Sequence, residues 1–128
     1  ALGGSGLAHY RNGNASQAIE LLERQRLLAA EIADRRSAVS ALTNLGEAYT
    51  ATGEANRAVE LLRQAFNTAS EISDVAGQAT ALFNQAVAMD TIGNRAHALE
   101  LAQSALELFE VADHPAAETV RRRLVEWQ

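Results

Sequence analysis

Apolar and polar positions alternate along this 128-residue chain with helical spacing, and the pattern itself recurs about every 40 residues. Ala1, Ala41 and Ala81 fall into register, as do Leu2, Leu42 and Leu82, and likewise Gly13, Gly53 and Gly93. Ala18, Ala58 and Ala98 follow, then Leu21, Leu61 and Leu101. In each copy one apolar-periodic run ends near the Gly and a second starts almost at once, so each unit reads as a helical hairpin. Gly suits that junction because the residue after a helix often takes a left-handed conformation. The spacing predicts helices over 1–12, 15–33, 35–51, 55–73, 75–91, 95–112 and 115–127.

Capping residues punctuate the same register. Asn14 and Asn94 stand where second helices begin, with Glu54 a weaker counterpart, and Asp34 and Asp74 stand where the next first helices begin. Pro115 follows Asp113 and His114 and suits the first turn of the last helix. In the second helices Ala18, Leu21 and Leu22 form a stripe that repeats as Ala58, Leu61 and Leu62, the Ala marking close helix approach. The chain divides into repeats 1–40, 41–80 and 81–114 and an unpaired capping helix, 115–127, in a single domain. Gly3, Gly4 and Gly6 make the first helix poor by propensity, each by ~1 kcal/mol relative to Ala.

Composition sharpens this to an all-α protein. Hydrophobic residues make up 48% of the chain but aromatics only 5%, and a single Pro occurs, which favours close-packed helices over strands. All basic residues are Arg and Ala dominates, as in GC-rich bacterial genomes. The net charge of -5 argues against a nucleic-acid surface, which needs a basic footprint. Without Cys there is no disulfide framework and no thiolate chemistry, and no stretch has the apolar length of a membrane span, so a cytoplasmic location is expected. The chain starts at Ala1 without an initiator Met and reads as a piece of a larger protein.

Leu42, Leu45, Gly46, Tyr49, Gly53, Ala58, Leu62 and Ala65 together resemble the tetratricopeptide repeat signature. The first copy departs from it with His9 in the Tyr slot, and the third with Gln85, Ala86 and Met89. The family's usual unit is 34 residues; this longer form, with its AlaLeuThrAsnLeuGlyGluAlaTyr opening at 41–49, is similar to repeats of bacterial nucleotide-switch regulators and of kinesin-light-chain-like adaptors. The resemblance implies a right-handed superhelical solenoid of three hairpins plus the cap, binding a peptide or protein segment in its concave groove. The parent it implies is a bacterial regulator in which the array serves as sensor or scaffold.

In that family first helices line the concave side, which singles out Asn44 and Asn84 as groove residues in one register. An Asn amide both donates and accepts, and so can hold a peptide backbone whatever its side chains. Thr43 aligns with Phe83 and Glu47 with Val87, so the groove should pass from polar in the second repeat to apolar in the third, with Thr50 and Asp90 extending the lining. The competing reading of Phe83 is helix-to-helix packing. Arg121, Arg122 and Arg123 form the densest basic run, whose members point in different directions; it reads first as a solvated cap face and second as an anion site. Glu20 can pair with Arg24 one turn on.

Catalysis finds little support. His9, His97 and His114 lie in unrelated contexts, and no Gly-rich phosphate loop or nucleophile with a recognisable base occurs. No metal or cofactor is expected. The alternatives to a peptide-binding module are self-association, through the Gly-rich N-terminal end or a cap bearing Trp127, and sensing of a small molecule or pheromone.

Overall fold

The computed structural model describes residues 15–128. Every regular element in this span is an α-helix: α1 (Ala15–Glu31), α2 (Arg35–Ala51), α3 (Ala55–Glu71), α4 (Val75–Ile92), α5 (Arg95–Val111) and α6 (Ala116–Trp127). The expected helix over 1–12, with Gly13, the cap Asn14 and His9, lies outside the described residues.

Five helix ends share one device. At each, a residue with positive φ donates its N–H three residues back, and the next residue donates its N–H five residues back. Gly53 N–H thus reaches Thr50 O at 3.3 Å and Glu54 N–H reaches Tyr49 O at 2.8 Å. The same pair recurs for Ala33 and Asp34, Ser73 and Asp74, Gly93 and Asn94, and Asp113 and His114. These bonds satisfy carbonyls that the helix leaves without partners. Within a hairpin the left-handed residue is Gly, at φ 90° and 102°; between hairpins it is Ala33, Ser73 or Asp113, at φ 51° to 57°. The helices expected to run to residues 33, 73 and 112 consequently end at Glu31, Glu71 and Val111. The left-handed residue stops them, although its side chain gives no warning.

The next helix begins immediately. Asp34 Oδ1 accepts from Ser37 N–H at 3.1 Å, Asp74 Oδ1 from Gly77 N–H at 2.9 Å and Asn94 Oδ1 from His97 N–H at 3.1 Å. Glu54 makes no such side-chain bond. Its longer side chain is poorly matched to this short reach. Pro115 precedes α6, and His114 Nδ1 accepts from Ala116 N–H at 3.0 Å.

Because no slack remains between helices, successive helices pack as neighbours along the stack. Ala18, Ala58 and Ala98 are fully buried, as are Leu22, Leu45 and Leu62. A Cβ on Gly46 would collide with the Leu62 side chain, coming within 2.9 Å of Cδ1 and closer still to Cγ and Cδ2. The α2–α3 crossing is set by this missing side chain. A second cluster joins α4, α5 and α6 through Ala98, Ala102, Phe109, Val120, Leu124 and Trp127.

The final helix follows a different face rule. Positions that hold Ala41, Leu42, Leu45 and Gly46 in α2 hold Arg121, Arg122, Val125 and Glu126 in α6, all exposed. Leu124 and Trp127, which align with the exposed-side positions Asn84 and Val87 of α4, are instead buried in the cluster. Relative to α2 and α4, α6 is turned about its own axis, so the face on which another second helix would pack is polar. Burial of Leu124 and Trp127 sets this turn, and an exposed salt bridge from Arg121 to Glu110 of α5, at 2.9 Å, accompanies it.

Three outcomes follow from these contacts. Gly46→Ala should gain ~1 kcal/mol of helix propensity and still lower stability, since crowding Leu62 costs ~1–3 kcal/mol; urea unfolding would show a lower midpoint. Ser73→Gly should raise the midpoint, because an L side chain in the left-handed region costs ~1 kcal/mol or more. The hydrogen bonds from the Ser37 hydroxyl and N–H hold the Asp34 carboxyl below its ordinary value of 3.8. A depressed folded pKa stabilises above the unfolded value, and the effect fades as pH falls through the folded one. Asp34→Ala should therefore be less stable than the parent at neutral pH, with the two melting curves converging under acid.

Candidate functional site

Side-by-side contact distinguishes the two layers of the stack. The first helices α2 and α4 touch directly, whereas no comparable contact joins α1 to α3 or α3 to α5 among the described residues. A layer whose members touch is shorter than one whose members do not, so the stack curves toward the α2 and α4 side. On this side lies a cleft of about 470 Å³. Its walls are Glu47, Thr50 and Ala51 of α2, Phe83, Asn84, Val87 and Thr91 of α4, and Arg123 of α6.

Each wall has its own chemistry. Phe83 and Val87, four residues apart, are partly buried against the α4–α5–α6 core, so one side of each packs while the other borders the cleft. Phe83 therefore both packs between helices and borders the cleft. Thr50 Oγ1 donates to Gly46 O at 2.8 Å and Thr91 Oγ1 to Val87 O at 3.0 Å, which engages both hydroxyl hydrogens within their own helices. Asn84 supplies an amide beside this apolar floor, and Glu47 an exposed carboxylate on α2.

Arg123 supplies the cation. Its guanidinium lies 5.8 Å from the centroid of the Phe83 ring and 5.6 Å from that of Trp127. Stacking of this kind attracts a planar cation to the ring faces and holds it in place. Its ion pair with Glu126 is long, 3.9 Å. Arg121, by contrast, is engaged by Glu110 and Glu118, and the hydrogen bond to Glu110 is the main influence raising its pKa. Arg122 is 3.7 Å from Glu118. The three arginines do diverge, and only Arg123 lines the cleft.

Of the groove residues anticipated from the repeat register, Glu47, Thr50, Phe83, Asn84 and Val87 meet in the cleft. Asn44 is half-buried on α2 and is not part of this lining. Thr43, only 9% exposed, belongs to the packed interior, so the alignment of Thr43 with Phe83 does not carry a shared exposure. Asp90 accepts from Arg95 Nε, and Arg95 Nη1 donates to Trp127 O at 3.0 Å, so Asp90 helps pin α6 in place. Trp127 is itself 7% exposed and is not available as a surface contact. The Gly-rich segment put forward for self-association lies outside the described residues. Glu20 and Arg24 pair at 2.8 Å as their spacing implied.

Arg123, Ala51 and Thr91 were not anticipated as cleft residues, although Arg123 belongs to the basic run that reads second as an anion site. Ala51 and Thr91 continue the inner faces of α2 and α4 by one turn and were within reach of helical spacing. Arg123 falls in the register of Thr43 and Phe83, but the basic run it belongs to reads first as a solvated cap face, so its place in the cleft was not drawn from that register.

No group of three or more His, Asp or Glu side chains among the described residues converges to hold a metal ion. No helix among them is long and apolar enough to cross a membrane.

A family model for the tetratricopeptide repeat matches residues 1–71 and 37–110. The chain is similar in structure to the nearly identical TPR-like repeats of a Podosopora anserina protein described as a kinesin light chain. The TM-score is 0.83 at 22% identity, over 98% of this chain and 63% of that one. A variant of the same protein gives 0.82 at the same identity and coverage. The chain therefore spans less than two thirds of these structures. No curated protein matches it.

Proposed function

Because the chain belongs to the tetratricopeptide repeat family, whose arrays are generally protein-protein interaction modules, we propose that its concave cleft holds an extended or helical segment of another protein. The observation that carries this reading is the convergence of Phe83, Val87 and Asn84 with Glu47 and Arg123 in one open cleft. An apolar floor with a few placed polar groups is the common make-up of a recognition site. Asn84 can bond to a peptide group through both halves of its amide, while Phe83 and Val87 take an apolar anchor. Asn44 lies further along α2 and would engage a longer segment.

The setting we propose is a larger cytoplasmic bacterial regulator in which the array is sensor or scaffold, supported by the Arg-only basic composition and the long repeat form. Its repeats are 1–40, 41–80 and 81–114, closed by the cap at 115–127. The polar outer face of α6 supports that closure. Partner binding would shift such a regulator only by its difference in affinity for two states. Nothing in the cleft calls for a nucleic acid, and we assign the module no catalytic step.

Self-association is the alternative to test beside it. Peptides selected by display against the 128-residue chain should compete with one another, and Asn84→Ala with Val87→Asp should weaken them at least about tenfold, a loss of ~1.4 kcal/mol. Asn84→Ala alone should leave thermal melting near the parent's, whereas Val87→Asp, whose side chain also packs on the α4–α5–α6 core, should lower it, so binding is compared well below both midpoints. Selected peptides that bind the variant as well as the parent would place the site elsewhere. Concentration-dependent sedimentation abolished by the same pair of substitutions would favour self-association.

A further inference from the structure

Helix α6 brings to the cleft a positive charge that the α2 and α4 walls do not supply. Arg123 occupies the α6 wall with its guanidinium over Phe83 and Trp127, and its nearest carboxylate, on Glu126, is 3.9 Å away on a side chain 66% exposed. Ring stacking covers the faces of a guanidinium and leaves its edge N–H groups for a planar acceptor. On the α2 side the cleft carries the exposed Glu47 instead. Between them lie the apolar surfaces of Phe83 and Val87 and the Asn84 amide. The cleft is therefore bipolar about an apolar floor.

Resting on the groove reading above, we propose that the cleft selects a peptide segment in which an acidic side chain adjoins an apolar one. The carboxylate pairs with Arg123 and the apolar side chain lies on Phe83 and Val87. Glu47 repels a carboxylate placed at the other wall, so the segment binds in one polarity, its acidic residue toward α6. The chain's net charge of -5 disfavours acidic partners at long range. That field is screened over ~8 Å at physiological salt, so the selection is made locally by Arg123.

The test uses the 128-residue chain and a library of nonapeptides with two adjacent randomised positions in Gly-Ser flanks. Enrichment is expected for Asp or Glu beside Leu, Ile, Val or Phe. Replacing the acid of an enriched peptide by its amide should weaken binding about tenfold, as expected for a charge-assisted hydrogen bond. Arg123→Gln should erase the difference between acid and amide, and Arg123→Lys should restore part of it. If Arg123→Gln loosens α6, Glu47→Gln, at an exposed position, gives an independent reading: acidic peptides should then bind somewhat tighter.

Enrichment of apolar residues with no acid, or equal affinity for acid and amide, would overturn the charge selection while leaving the groove intact. Competition by N-acetyl-aspartate amide as effective as the whole peptide would mark a small-anion site and also overturn it. If no peptide of any composition is weakened by Asn84→Ala with Val87→Asp, the groove reading fails as well.

Discussion

The structure depends on a turn with no spare residues. A positive-φ residue ends each of the first five described helices, its successor completes the carbonyl hydrogen bonding, and the following helix starts at once. The chain is thereby committed to reverse at fixed intervals, and each helix must find its partner in the one before. Packing then has to fit the crossing that the turn imposes. This is why the fully buried Ala18, Ala58 and Ala98 recur in register and why the second repeat has no side chain at Gly46, beneath Leu62.

Equal turns do not produce equal layers. Direct contact between α2 and α4, unmatched by the second helices, bends the stack and leaves an inner wall. Asn84 and Val87 can remain on that wall because the core beneath them is already supplied by α5 and α6. The cleft is thus a by-product of stacking, and its polar lining residues Glu47 and Asn84 are free of the close-packing demand that Phe83 and Val87 still partly meet. The polar part of such a surface can be altered at little cost to the fold.

The sequence made this architecture legible wherever one residue type answers one local need. Asp34, Asp74 and Asn94 cap as their positions implied, and Gly53 and Gly93 take the left-handed conformation. The ends at Ala33, Ser73 and Asp113 were not legible, since tertiary packing holds those residues in a conformation their side chains do not favour. The cleft followed the same logic. Glu47, Thr50, Phe83, Asn84 and Val87 came from the repeat register, but register alone misplaced Thr43, because a shared register fixes the direction of a side chain and not its reach, and the short Thr43 is covered where the longer Phe83 extends to the cleft.

The buried face of α6 marks the limit of periodic reasoning for a physical reason. Among the described residues α6 packs on α5, burying the face that meets α5 and leaving the opposite face polar. In α6 this turns Leu124 and Trp127 inward and places Arg121 and Arg122 where the repeats carry apolar residues. Arg123, in the register of Phe83, stands on the inner wall over two aromatic rings. The α6 wall is consequently the part of the cleft least like α2 and α4, because it is the wall that brings a cation to an otherwise neutral or acidic lining.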